Sequence, residues 1–148
     1  MDVARIDPLH PDARLLIAGS EAEQSAFYPP EHRYAFSPEE LVAGDIRFFL
    51  GRAGDAPAVC GGYGSYGAYA ELKRVYVAPA HRGQGWADAL IAACEAGARA
   101  EGLALMCLET GEASPAALKV YARLGYARRG PFGPYAENGS SVFMEKAL

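Results

Sequence analysis

The clearest chemical pattern in the chain runs from Glu71 to Ile91. A β-branched and aromatic run, Val75-Tyr76-Val77, is stopped at Pro79. A glycine-spaced turn follows, Arg82-Gly83-Gln84-Gly85-Trp86-Ala87, and an apolar segment of helical period opens at Trp86. Strand, small-residue turn and helix start together make an anion cradle. The first amides of a helix have no intrahelical partner, and the helix dipole is positive there. Glycines let phosphate oxygens approach the backbone with no Cβ in the way. The chemistry on offer is therefore phosphate or pyrophosphate binding.

Other arrangements are weaker. Gly62-Tyr63-Gly64-Ser65-Tyr66-Gly67 has the spacing of a dinucleotide fingerprint, with Asp88 about where a ribose-binding acid would stand. That fingerprint needs a helix directly after its glycines, whereas Ala68 to Val77 reads as strand. The glycines read instead as a bulged hairpin turning near Gly67. No Ser/His/Asp or Cys/His arrangement is visible. His10, His32 and His81 fall in or beside predicted loops. Cys60, Cys94 and Cys107 lack metal-ligand spacing and read as small buried hydrophobes of a reducing compartment. No metal is expected.

A chain of 148 residues, 51% apolar and 22% charged, suits one globular domain over residues 1–148. A net charge of −4 argues against a broad basic face for nucleic acid. No apolar run approaches the ~20 residues that span a bilayer. The acidic N-terminus lacks the apolar core of a signal peptide. The expectation is a cytoplasmic protein with no nucleic-acid or membrane partner.

The elements that would position the cradle follow in order. Val3 to Ile6 reads as strand. Asp12 reads as the cap of a helix reaching about Phe27, with Leu15, Leu16, Ala22 and Ala26 among its apolar positions. Tyr28 to Tyr34 is loop, because of Pro29 and Pro30. Ser37-Pro38-Glu39-Glu40 starts a short second helix. Strands are expected over 46–52, 57–66 and 68–77. Trp86 to Ala100 is a helix with Trp86, Leu90, Cys94 and Ala98 on one face. Leu103 to Thr110 reads as a nearly continuous apolar strand, covered on both sides. Ser114-Pro115 starts a helix ending at Leu124, and strands over 126–129 and 141–146 close the chain.

The cradle resembles the acyl-CoA signature of the GNAT N-acetyltransferases: Gln or Arg, two residues, Gly, one residue, then Gly or Ala. Arg82, Gly85 and Ala87 fill it. Ala117-Leu118-Lys119-Val120-Tyr121-Ala122-Arg123-Leu124-Gly125-Tyr126 resembles that family's helix-end motif, with Ser114 where Asn is frequent. Pro131-Phe132-Gly133-Pro134-Tyr135 is similar to a small bacterial subgroup. The resemblance covers nearly the whole chain. It implies an α/β fold, a central mixed twisted sheet with splayed central strands flanked by helices. It implies acetyl-CoA as co-substrate, lying along the backbone of Val75, Tyr76 and Val77. Its pyrophosphate would sit on Arg82, Gly83, Gln84, Gly85, Trp86 and Ala87, and Ser114 would stand at the cofactor. Trp86 is expected to face the core and Asp88 to face solvent. The Ser114 hydroxyl is expected to cap its helix.

The implied reaction is direct transfer of an acetyl group to the amine of a small molecule in a ternary complex. Alkylamines are mostly protonated at neutral pH, with pKa near ~10.4, so a base must act. Glu71 stands where some members of the family carry that base; the alternative is an ion pair with Lys73 or Arg74. Strand alternation puts Glu71, Lys73, Val75 and Val77 on one face unless a bulge intervenes. Backbone amides near Tyr76 and Val77 would serve the oxyanion. Tyr121 would assist departure of the thiol, or else be a core tyrosine beside Ala117, Leu118 and Leu124. The acceptor pocket would draw on Tyr28, Arg33, Tyr34, Phe132, Tyr135 and Glu137; its aromatics could equally just pin their loop. Two rival functions are a non-catalytic acyl-CoA sensor and an enzyme acylating protein N-termini or lysines. A homodimer is compatible with the resemblance.

Overall fold

The computed structural model describes residues 1–29 and 36–148. Its elements are β1 (Val3–Arg5), α1 (Pro11–Ser25), α2 (Pro38–Ala43), β2 (Arg47–Ala53), β3 (Ala56–Ser65), β4 (Ala70–Val77), a 3-10 turn (Pro79–His81), α3 (Trp86–Ala100), β5 (Leu105–Gly111), α4 (Pro115–Arg123), β6 (Ala127–Arg129) and β7 (Ser141–Ala147). The strands form one sheet in the order β1-β2-β3-β4-β5-β7-β6. Every neighbouring pair is antiparallel except β4 and β5, which run parallel. Among the described residues, no helix is long and apolar enough to cross a membrane.

Each face of the sheet buries its own apolar cluster. On one face, Trp86, Leu90, Ile91, Cys94 and Ala98 of α3 and Tyr121 of α4 pack on Leu72, Met106 and Leu108. On the other, Ala13, Leu16 and Ile17 of α1 and Leu41 of α2 pack on Phe48, Leu50 and Cys60. A small third cluster, Cys107, Phe132 and Phe143, lies under the loop between β6 and β7.

Local chemistry explains most boundaries. Ser37 caps α2 with a capping box: its hydroxyl accepts from the Glu40 amide at 3.2 Å, and the Glu40 carboxylate accepts from the Ser37 amide at 3.0 Å. The first helix begins two residues earlier than a cap at Asp12 suggests. His10 is its cap, Nδ1 accepting from the Asp12 amide at 3.1 Å, and Pro11 takes the first helical position. The Asp12 carboxylate is drawn instead to Arg52. The helix also turns a different face inward: Ala13, Leu16, Ile17 and Ser20 are buried, and Leu15 is 63% exposed. Its apolar residues are too few to set that phase.

The hairpin of β3 and β4 is bulged, as its glycines predict. Cys60 faces Tyr76 and Gly62 faces Lys73, so Arg74 and Val75 together oppose Gly61. Arg74 takes a left-handed φ of 57°, a cost of roughly 1–2 kcal/mol for a residue with a Cβ. Its buried guanidinium offsets this by donating to the Phe36 carbonyl at 2.8 Å and bonding Ser20 and Glu21 of α1 at 3.3 Å. The bulge reverses the alternation. Val75 and Val77 pack with the α3 cluster, and Tyr76 packs with the α1 cluster. Glu71 and Lys73 therefore do not share a face with Val75 and Val77, contrary to the unbulged pattern.

Candidate active site

The parallel pair β4 and β5 holds together for only two rungs, Ala70 with Met106 and Glu71 with Cys107. Beyond them the strands part. A groove of about 890 Å³ opens there, with β4 residues Val75, Tyr76 and Val77 on one side and Ser114, Ala117 and Tyr121 on the other. The turn before α3 forms its floor. Gly85 is the N-cap of α3 at φ 90° and offers no side-chain cap. Gly83 is also left-handed, at φ 75°. A Cβ built on Gly83 would meet nothing within 4 Å, and one on Gly85 only the Met1 methyl at 3.8 Å. The space above these amides is open, which fits a pyrophosphate seated on a helix N-terminus.

Around this floor the predicted residues divide. Arg82, Gly83, Gly85, Trp86 and Ala87 line the groove; Gln84 is exposed and does not line it. Trp86 is buried in the α3 core, as expected. The Arg82 guanidinium is engaged by the Val77 carbonyl at 3.0 Å and by Glu23 of α1 at 2.6 Å. Asp88 is half-exposed but also lines the groove, rather than facing solvent alone as expected. Arg123 of α4, on the same lining, holds it in a two-bond pair, 2.8 Å each. That guanidinium holds the Asp88 carboxyl below its ordinary range. Ser114 precedes α4 but makes no side-chain cap, contrary to expectation. Its hydroxyl lies 3.3 Å from that of Tyr28 instead. The Tyr28 hydroxyl also accepts from the Ala113 amide at 3.2 Å, tying the end of α1 to the β5–α4 turn. A Cβ at Gly111 would overlap the Tyr28 phenol where it now lies, so the Tyr28 ring takes this place only beside a glycine.

A second cavity of about 120 Å³ adjoins the groove, on the α1 face of the sheet. Ser20, Gln24, Tyr28, Val75, Thr110, Ser114 and Tyr121 line both. Glu71 projects into this second cavity and is 4% exposed. It accepts from the Tyr135 hydroxyl at 2.6 Å and pairs with Lys73 at 3.2 Å. Lys73 lies 4.3 Å from the centre of the Phe36 ring. Burial, then the charge of Glu71, pushes the Tyr135 phenol up. Phe132 stays out of the cavity lining; it is buried against Tyr69, Tyr135 and Phe143 and backs Tyr135. Arg33 and Tyr34 lie outside the described residues. Tyr121 is buried, edge-on to Tyr126, and burial pushes its phenol well up.

The cavity also holds a carboxylate that motif and spacing alone do not single out. Glu109 of β5 lines it and accepts from the Ser141 hydroxyl at 2.7 Å. Burial, with the nearby charge of Glu71, pushes its carboxyl up to about 7, against the opposing pull of the Ser141 bond. A signal is nonetheless present in the sequence. An acid interrupts the apolar run Leu105-Met106-Cys107-Leu108, and charged residues are seldom buried without a purpose. Among the described residues, no cluster of His, Cys, Asp or Glu could hold a metal ion.

Comparison with known proteins bears on the family and the fold. Residues 15–126 match the model of the Acetyltransferase (GNAT) family. The chain is 36% identical over 148 residues to a protein named IAA acetyltransferase from Azospirillum brasilense, covering 99% of this chain and 97% of that one. A crystal structure described as an acyl-CoA N-acyltransferase from Klebsiella pneumoniae superposes with a TM-score of 0.83 at 32% identity, over 99% of this chain and 97% of that one. The PaiA N-acetyltransferase of Thermoplasma acidophilum, solved with coenzyme A, shares the fold at a TM-score of 0.78 and 17% identity, over 99% of this chain and 98% of that one.

Proposed function

The chain belongs to the GNAT acetyltransferase family, and from that premise we propose that it moves the acetyl group of acetyl-CoA directly to the amine of a small molecule. One observation carries this reading: the groove and the small cavity share a wall, so a donor in one and an acceptor in the other meet without a covalent enzyme intermediate. The relative named IAA acetyltransferase supports a small-molecule acceptor. A cavity of about 120 Å³ suits an amine headgroup of a few heavy atoms.

Acetyl-CoA, when bound, supplies a thioester carbon open to an amine and a thiol that leaves. The chain's own residues do the rest. The backbone of Arg82 to Ala87 receives the pyrophosphate. Val75 to Val77 present backbone groups along the groove, and amides near Tyr76 and Val77 stabilise negative charge on the acyl oxygen. Glu109 takes the amine proton. An ordinary glutamate near ~4.3 lies roughly six units below an alkylammonium near ~10.4. At about 7, Glu109 narrows that gap to between three and four units. Glu71, tied to Lys73 and Tyr135, acts chiefly through its charge on Glu109 and second as an alternative base. Tyr121 offers its hydroxyl toward the departing sulfur.

The test is thiol release from acetyl-CoA with a panel of small amines, amino acids and aminoglycosides. At least one acceptor should raise release well above hydrolysis, and Glu109→Gln should reduce that rate by roughly 10²-fold or more. Coenzyme A binding with no acceptor-dependent release would leave a sensor. Label transferred to added proteins alone would leave a protein acetyltransferase.

A further inference from the structure

We propose that Ser141 is the positioning residue of the acceptor cavity. Its hydroxyl holds one oxygen of Glu109, and Asn138 in turn fixes that hydroxyl, so the β6–β7 loop sets the proton-accepting group. This deepens the reading of Glu109 as the base and rests on it.

The hydrogen-bond directions follow from counting donors. The Asn138 side-chain oxygen accepts from the amides of Ser140 at 2.9 Å and Ser141 at 2.8 Å. An amide N–H can only donate there, so the side-chain oxygen of Asn138 must face the backbone and its NH₂ must face away. That NH₂ donates to the Ser141 hydroxyl oxygen at 3.0 Å. The single proton of Ser141 is then directed to Glu109 Oε2, at 2.7 Å. Ser141 opens β7 opposite Gly111 and is 8% exposed, so water competes little for the bond.

Two consequences follow. While Ser141 donates to Oε2, that oxygen is the hydrogen-bond acceptor, and the proton taken from the amine settles on Oε1. The ammonium gives one proton to Oε1, which frees the nitrogen lone pair. That pair bonds the thioester carbon as the C=O π pair moves to oxygen. When the carbonyl re-forms, the C–S bond breaks, and the second nitrogen proton leaves with the sulfur as thiol. The same loop also serves the other carboxylate, because Tyr135 donates to Glu71 at 2.6 Å. One short segment therefore orients both acids of the cavity.

The groups that set the field at Glu109 come from several elements: Glu71 and Lys73 of β4, Tyr121 of α4, Tyr135 of the loop and Ser141 of β7. Removing the Ser141 hydroxyl leaves the others in place. A hydrogen bond to a carboxylate favours its charged form, so its loss must raise the proton affinity of Glu109.

The experiment is a pH titration of the Glu109 carboxyl carbon by NMR, on protein labelled with ¹³C at glutamate and saturated with coenzyme A. The Glu109 signal is the one that Glu109→Gln removes. The wild-type midpoint should lie near 7. Ser141→Ala should move it up by about one pH unit, and Ser141→Thr, which keeps a hydroxyl, should restore it. Asn138→Ala should move it the same way by less. An unmoved midpoint in folded Ser141→Ala overturns the proposal. Should that variant not fold, an unmoved midpoint in Asn138→Ala overturns it. A wild-type midpoint near the ordinary ~4.3 would instead overturn the reading of Glu109 itself.

Discussion

Glu71 and Glu109 stand on either side of the point where two parallel strands stop pairing. Glu71 faces Cys107 in the last rung between β4 and β5, and Glu109 lies just past that rung, in the opening. The two carboxylates share one small cavity, but a lysine is paired with only the first of them. The asymmetry separates their behaviour.

It gives stability an unusual pH dependence. The Glu109 carboxyl titrates near 7 in the fold, against 4.5 for its ordinary value. Between those values the native state holds a proton that the unfolded chain has lost. Stability from this group therefore falls as pH rises toward 7, the reverse of the common carboxylate case. Glu109→Gln removes the effect. Relative to wild type, the variant should gain little at pH 5 and up to ~3 kcal/mol at pH 8, an upper bound given its partial exposure. Thermal melts of both proteins at the two pH values measure it, and parallel curves would return Glu109 to an ordinary carboxylate.

The cradle predicts a clean loss of cofactor binding. Acetyl-CoA should raise the melting temperature of the wild type by mass action. Gly85→Val places a side chain over the open floor and forces a β-branched residue to φ 90°. Its own melt should fall modestly, and the acetyl-CoA shift should vanish. An undiminished shift in the variant would move the pyrophosphate elsewhere.

For Tyr121, the environment settles a condition left by chemistry. A phenol near ~10 already donates uphill to a thiolate near ~8.5, and burial raises Tyr121 further. Full proton transfer is therefore disfavoured, and a hydrogen bond to sulfur is the most it supplies. Tyr121→Phe keeps the ring edge-on to Tyr126. Single-turnover transfer should slow by about tenfold or less, with coenzyme A affinity unchanged. A loss beyond a thousandfold, with an intact melt, would make the hydroxyl a true acid.

Arg123 pairs with an acid on the lining of the proposed phosphate groove. Asp88 sits in the first turn of α3, where its charge would repel the cofactor if left alone. Arg123→Ala should weaken coenzyme A binding by about two- to fivefold. Adding Asp88→Asn should recover most of it, as isothermal calorimetry at low salt would show. Equal losses in both single variants would instead make the pair a simple tether between α3 and α4.

Glycines and prolines make much of this fold legible in the sequence itself. Ser37-Pro38 marks a helix start, and Arg82 to Ala87 marks the cradle, because few residues satisfy those backbone demands. The apolar face Trp86, Leu90, Cys94 and Ala98 is long enough to fix its own phase, and all four are buried. What escapes a reading of residues depends on contacts between distant segments. The exact partner shift in β4 is invisible at Arg74, which no propensity places at a left-handed φ. Ser114 looks like a cap in sequence, but Tyr28 arrives from the far end of α1 and takes its hydroxyl. Glu109 is hidden by its apolar neighbours, and the burial and the Glu71 charge that push its carboxyl up, with the opposing bond from Ser141 of the last strand, come from segments distant in the chain.

The parting of β4 and β5 has a further meaning for the backbone. Past Glu71 and Cys107, each strand turns toward the other an edge that carries no neighbouring strand. Proteins usually keep such edges at the rim of a sheet and blunt them with charge; here a facing pair lies in the middle of one. The pantetheine arm carries two amides, so it can serve as the missing rung. Amide protons of Val75 and Val77 should exchange with solvent faster than those of the paired strands around them, and slow sharply when coenzyme A enters. Their deuterium uptake would then report cofactor occupancy directly, with no need to know the acceptor.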